Sequence, residues 1–272
     1  MTLKALQLLR HLFIRLLNVS PYVKLTINNM DAYVLPDGFG SLEENLFANI
    51  YLSPEILSRA NTILDLGAHH GSFTLYAIHN AAEGSTIKAV EPNPKAYFLL
   101  LMNIKESLGL IKKRSLKIHC LKSAVWSSKS GLRLVPTEWS ETHHVNEKTT
   151  WEGYPVSTIT MHELLRNSAR PVVVKMDIEG AEKEIFKDCS WLEGIDYIAV
   201  EPHGTKSVIA SSLSEHGFKA AIREINLDLA LALRWIKVKP AWYGVMMVFY
   251  RVITCLANPR VELIVGSRAS SG

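Results

Sequence analysis

Four short apolar runs between residues 61 and 201 carry a carboxylate at or beside their carboxyl end, and stretches with helical spacing separate them. They are Ile63-Leu64-Asp65-Leu66, the run from Thr86 to Glu91, the run from Val172 to Asp177, and the run from Tyr197 to Glu201. Runs this short, bounded by turn residues and rich in β-branched side chains, read as buried strands. Strands that alternate with helices pair in parallel, because each crossover returns the chain to the same end of the sheet. The chain therefore reads as α/β, an open and mostly parallel sheet with helices on both faces. In such sheets ligands bind beyond the carboxyl ends of the strands. Asp65, Glu91, Asp177 and Glu201 are all expected there.

The first run leads into a glycine turn, Asp65-Leu66-Gly67-Ala68-His69-His70-Gly71, and then a helical pattern with Phe73, Leu75, Tyr76 and Ile78. Glycines between strand and helix let a ligand approach the backbone and aim the helix N-terminus at it. The spacing is Asp-x-Gly-x-x-x-Gly. It is neither the Gly-x-Gly-x-x-Gly of a dinucleotide site nor a phosphate-binding Gly-x-x-x-x-Gly-Lys loop. Glu91, about 20 residues beyond the turn, is positioned to accept hydrogen bonds from ribose hydroxyls.

Bulk composition excludes several classes. Thirty Lys+Arg against 26 Asp+Glu leave a net charge of only +4, with no long basic run, so no nucleic-acid partner is expected. Cys120, Cys189 and Cys255 are scattered without metal spacing, which reads as reduced thiols of a cytoplasmic protein. The first 17 residues are apolar but interrupted by Lys4, Arg10, His11 and Arg15, too short a run to span a bilayer. They read as a basic amphipathic helix that docks on the domain or on a partner, or lies on an inner membrane surface. Three parts are expected: this helix at 1–20, a strand and helix cover at 21–60, and the main domain at 61–272.

Within the cover, residues 23–27 and 32–35 read as strands joined by an Asn28-Asn29 turn, and Ser41 with Glu44 resembles a helix start. The helix after Pro94 is expected to run to Leu108, the third strand to lie near 116–121, and Ser127–Gly131 to make a hairpin turn into a strand at 132–135. Residues 136–155 are polar and aperiodic, and part of the acceptor site is expected there. His143 and His144 read as surface residues ahead of metal ligands. Residues 156–159 make one short strand. An apolar segment near 227–257 is expected to insert a helical pair that packs on the fold, lines a substrate pocket or touches membrane.

Three motifs, DLGAHHGSFT at 65–74, VEPNP at 90–94 and VKMDIEGAE at 174–182, resemble the FkbM family of methyltransferases. The resemblance covers roughly residues 41 to 225. It implies a seven-stranded Rossmann-like sheet, the class I methyltransferase fold, with S-adenosylmethionine as cofactor. It implies that Asp65, Gly67, Ala68 and Gly71 hold the methionine part of the cofactor, that Glu91 binds its ribose, and that Ser123 and Ala124, with Val125, lie near the adenine. Asp177 and Glu179 would face the transfer site. His69 and His70 stand where the family commonly carries Asn and an apolar side chain, and the tail after about residue 226 departs from the usual pattern.

Methyl transfer to a hydroxyl needs a base, because a neutral alcohol is a weak nucleophile. Asp177, Glu179 and His203 are the candidates, and His203 suits base work near neutral pH. Glu182 reads as a first-turn acid that stabilises its helix. Lys175 points to the same side of its strand as Asp177. No metal is expected, although Asp177, Glu179 and Glu201 are oxygen donors that a hard cation would accept. Expected acceptors are a sugar, a glycolipid or a hydroxylated natural product. A nucleotide-dependent oxidoreductase and a membrane-associated binding protein with a non-catalytic pocket stay open as alternatives.

Overall fold

Each apolar run forms a strand. In this computed structural model the described residues are 21–27, 30–35, 38–128, 131–135, 144–146, 153–226, 233–255 and 260–268. The 1–20 helix, the Asn28-Asn29 turn, His143 and most of the polar 136–155 segment lie outside them. The strands are β1 (Val23–Ile27), β2 (Met30–Val34), β3 (Thr62–Leu66), β4 (Thr86–Val90), β5 (Lys117–Leu121), β6 (Ala124–Val125) and β7 (Leu132–Val135). They continue with β8 (His144–Asn146), β9 (Tyr154–Val156), β10 (Thr158–Ile159), β11 (Val172–Met176), β12 (Tyr197–Val200), β13 (Phe218–Asn226) and β14 (Arg260–Arg268).

Seven of them form the main sheet in the order β13-β14-β12-β11-β3-β4-β5. From β5 to β12 every pairing is parallel, and β14 runs antiparallel to both of its neighbours. The expected seven-stranded, mostly parallel sheet is therefore present. β3 and β11 lie at its centre, and every residue of both is buried. Their register sets Lys175 directly opposite Asp65, which brings two charges together in the middle of the sheet.

Helices Ser72–Asn80, Pro94–Glu106 and Lys206–Glu215 follow strands as crossovers. Asn93 caps the second, its Oδ1 accepting from Lys95 N at 2.9 Å, with Pro94 at the first helical position. Thr160 and Glu163 form a reciprocal capping box on helix Met161–Leu165. One core cluster joins residues of the 21–60 region, such as Leu25, Leu42, Tyr51 and Leu52, to Ile63, Phe73 and Val173 of the main sheet region.

Several local expectations are corrected. Ser41 caps nothing: its helix starts at Phe39, and Glu43–Ala48 continues as a π-helical turn. The helix after Pro94 ends at Glu106, and Leu108–Lys113 is a separate helix. β6 and β7 do not pair as a hairpin. β7 is the middle strand of an antiparallel sheet β8-β7-β9, while β6 pairs in parallel with β10. The single strand expected at 156–159 is split at Ser157, because its two halves serve these different sheets.

In the tail, a 3₁₀ turn Arg234–Lys237 and a helix Ala241–Cys255 pack inward through Trp235, Tyr243 and Met247, all fully buried. The two segments touch at Gly244, where a Cβ would stand 2.2 Å from the Trp235 carbonyl oxygen. Trp235 Nε1 donates to the buried Glu43 carboxylate, which ties the tail to the N-terminal cover. Among the described residues no helix is long and apolar enough to cross a membrane.

Candidate active site

The site grows from the close approach of two strand ends. Gly67 follows β3 with φ +74°, and a Cβ there would lie 1.7 Å from the Asp177 carbonyl oxygen at the end of β11. Only glycine tolerates both the conformation and the contact. The turn continues through His69 (φ +51°), whose N–H donates to Glu91 Oε2 at 2.7 Å. Asn93 N–H donates to Glu91 Oε1, also at 2.7 Å. Burial pushes the Glu91 carboxyl up to about 7, against the pull of these two N–H groups.

A cleft of about 330 Å³ opens at the carboxyl ends of the strands. Gly67, Ala68, Glu91, Ser123 and Ala124 line it, and so do Asp177, Glu179 and His203. Two of the expected cofactor residues do not. Asp65 is fully buried beneath the turn, accepting from Thr74 Oγ1 at 2.5 Å and lying 3.6 Å from Lys175 Nζ. Gly71 (φ +91°) faces helix Pro94–Glu106, where a Cβ would meet Leu100 at 2.7 Å. Both shape the turn from behind. Among the described side chains, none of the tail lines this cleft.

Lys175 joins the two strand ends. Its Nζ donates to Gly67 O at 2.7 Å and lies 3.6 Å from both Asp65 Oδ1 and Asp177 Oδ2. Burial acts to lower its pKa, but the carboxylates of Asp177, Asp65, Glu201 and Glu44 outweigh it, and the ammonium stays protonated. The Tyr51 ring covers it, with Nζ 5.3 Å from the ring centre. Tyr51 Oη is 2.7 Å from Glu201 Oε2 and 3.2 Å from Asp177 Oδ2. Burial raises this hydroxyl's pKa well above the usual tyrosine value.

Glu179 holds a left-handed conformation, φ +53°, and is about a quarter exposed at the cleft. Burial first and Asp177 next push its carboxyl up to about 8. His203 Nε2 lies 3.5 Å from Glu179 Oε2 and 3.9 Å from Asp177 Oδ1, and its Nδ1 lies 3.3 Å from Glu182 Oε1. Burial opposes the charged ring, yet the bond to Glu182 and the charges of Asp177 and Glu179 raise His203 to about 10. These neighbours favour the imidazolium form of His203 at neutral pH, the form that gives a proton rather than takes one. Glu182 is fully buried; its Oε1 also accepts from Ile178 N–H at 3.2 Å.

Asp177, Glu179 and His203 each offer one ligand atom within 4.8 Å of the others, a spacing that admits a divalent ion. A divalent ion there would compete with a proton for the Nε2 lone pair of His203. His70, next to His69 with ring centres 4.6 Å apart, is fully buried and kept neutral by burial.

Residues 65–220, more than half of the chain, match the family model described as "Methyltransferase FkbM domain". The chain belongs to this family. It is a methyltransferase by that membership, and the FkbM family uses S-adenosylmethionine. The oxidoreductase alternative falls away. No curated protein matches the chain. Among solved structures it is similar to the FkbM methyltransferase of Methylobacillus flagellatus KT, with 15% identity over 67% of this chain and 44% of that one, TM-score 0.45. It is also similar to M. jannaschii TYW2 in complex with AdoMet, with 12% identity over 91% and 85% of the two chains, TM-score 0.44. Similarity to the Pyrococcus abyssi tRNA (uracil-54, C5)-methyltransferase in complex with S-adenosyl-L-homocysteine is 13% identity over 91% and 44%, TM-score 0.42.

Within this FkbM site, Tyr51 and the orienting part of Glu182 are absent from the sequence reading. Tyr51 carries only an apolar helical spacing with Phe47 and Ile50, and its polar contacts reach 126 and 150 residues away. Glu182 looks like any first-turn acid until His203 folds back onto it.

Proposed function

We propose that the chain transfers the methyl group of S-adenosylmethionine to a hydroxyl oxygen of a sugar, glycolipid or natural-product acceptor. The observation that carries this reading is one cleft lined both by Glu91 with the Gly67 turn and by the Asp177–Glu179–His203 cluster. The lining suits the cofactor. Glu91 suits the ribose hydroxyls. Ser123 and Ala124, with the apolar Val90, Val125 and Leu134, suit the adenine, and the carboxylates suit the positively charged methionine end. Bound there, the cofactor supplies an electrophilic methyl group on a sulfonium.

The chain's own residues then have distinct tasks. Glu179 takes the acceptor hydroxyl proton: a carboxylate titrating near 8 is a far stronger base than an ordinary one, and a useful fraction is ionised near neutral pH. His203 stabilises the ionised Glu179 from 3.5 Å. Glu182 holds the imidazole in place through Nδ1. Asp177 accepts a hydrogen bond from the acceptor and is itself held by Lys175 and Tyr51. Leu134 lines the cleft two residues before the polar segment 136–155, which supports an acceptor contact from that segment. Glu44, Glu91, Asp177, Glu179 and Glu201 face the cleft against Lys175 and His203, a balance that favours a neutral acceptor over a polyanion.

Calorimetric titration with S-adenosylmethionine, followed by an acceptor screen read as the mass gain of one methyl group, tests the proposal. Native protein and Glu179→Gln both bind the cofactor, and only native protein methylates. Failure of native folded protein to bind removes the reading. Full activity in Glu179→Gln removes Glu179 as the base.

A further inference from the structure

Among its described side chains, the tail segment buries one face and exposes another. Trp235, Tyr243 and Met247 are fully buried, while Leu233, Ile236, Trp242 and Val245 are 49%, 60%, 54% and 49% exposed. On the helix, Trp242 and Val245 are three apart, and on the preceding turn so are Leu233 and Ile236, so each pair shares a face. Residues 233–255 contain Arg234, Lys237, Lys239 and Arg251 and no acid. Arg234, Lys237 and Lys239 are exposed beside the apolar four.

A second cleft, of about 340 Å³, is lined by Ile27, Phe47, Arg234, Lys237 and Val238. The Arg234 guanidinium is anchored there by donating to the Phe47 carbonyl, which leaves its other N–H groups for an anion. The helix itself does not span a membrane, so its apolar side chains act at a surface.

We propose that the outer face of residues 233–245 docks on an anionic lipid bilayer. Leu233, Ile236, Trp242 and Val245 enter the headgroup boundary. Arg234, Lys237 and Lys239 meet lipid phosphates, one of them seated in the cleft between Arg234 and Lys237. Exposed aromatic and aliphatic side chains beside cations match the two layers of such a boundary, and tryptophan favours that depth. The charge balance selects a negative partner, and the apolar four select one with a hydrocarbon interior.

Co-sedimentation of the full chain with vesicles tests this. One set is phosphatidylcholine alone, and the other carries about one third phosphatidylglycerol. Binding is expected to the anionic set alone, and to weaken as salt is raised. Lys237→Glu with Lys239→Glu should weaken it by about tenfold or more, since each juxtamembrane cation contributes about fivefold. Ile236→Ser with Trp242→Ser should weaken it about tenfold at constant charge. Unchanged melting and cofactor affinity keep both variants interpretable. No vesicle binding by the native chain, equal binding to both vesicle sets, or unchanged binding by both variants overturns the proposal; the last result assigns binding to another part of the chain. A native dimer that both variants dissolve, without vesicle binding, also overturns it and makes the face a self-association surface.

Discussion

Replacing His203 by glutamine removes the positive charge that faces Glu179 while keeping a hydrogen-bond donor near Glu182. The magnitude follows from geometry. Unit charges 3.5 Å apart attract by about 1.2 kcal/mol in bulk water and about 4.7 kcal/mol at an effective dielectric of about 20. Both side chains are 27% exposed, so the wetter half of that range applies. One to two pH units is then the expected rise of the Glu179 midpoint above its native value of about 8. The sign is upward, because the lost cation favoured the ionised carboxylate. Carbon-detected NMR of labelled glutamate, with Glu179→Gln for assignment, reads the midpoint without an acceptor. Once an acceptor is known, the variant should be about ten to a hundred times slower near pH 7 and approach native above about pH 10, as its base fills. A Glu179 midpoint that stays put or falls, in a variant that melts like the native protein, refutes the electrostatic pairing and with it the division of labour between the two residues.

Tyr51→Phe deletes the hydroxyl shared by Glu201 and Asp177; a loss of about 1–3 kcal/mol is expected by denaturant titration, with cofactor binding retained and turnover reduced. Gly67→Ala forces a methyl group into the Asp177 carbonyl at positive φ, and a loss of about 3 kcal/mol or more should appear as a lowered melting temperature. Glu91→Ala should weaken S-adenosylmethionine binding by about tenfold or more in calorimetry, since charged hydrogen bonds are worth about 1.5–3 kcal/mol. His203, Glu179 and Glu201 all have raised folded-state values, about 10, 8 and 7. Their contribution is whole below the unfolded values and is lost as pH rises through the folded ones. The melting temperature of the unliganded protein should therefore fall between about pH 5 and pH 10, and a flat profile would contradict the shifts.

The sheet was legible because its strands announce themselves locally. Val172-Val173-Val174 and Ile63-Leu64 need burial on both faces, and only a central parallel strand supplies it. Glu91 was legible for a similar reason, as an acid closing such a run. The remainder depends on contacts between distant segments. His203 looks like an ordinary titrating histidine in its own loop, and the pull toward its charged form comes from Glu182, Asp177 and Glu179, distant in sequence. Asp65 sits in the motif yet turns away from the cleft, because Lys175 across the strand pair and Thr74 on the next helix claim it. The hairpin expected at 127–131 failed because turn residues mark a reversal without saying which strand receives it; β7 found β8 and β9 instead.

The backbone at Glu179 opposes what its side chain gains. A left-handed glutamate costs about 1 kcal/mol that glycine would not, and the next residue, Gly180, also has positive φ (+95°). Glu179→Gly would relax the turn and remove a carboxylate that the surroundings resist ionising, while giving up the His203 contact and adding a glycine's unfolded-state entropy; these terms nearly offset, so it should leave a protein about as stable as the native one and unable to turn over. A selection for thermal robustness alone would thus do nothing to retain turnover, and a library built on this chain has to be screened for turnover at every round.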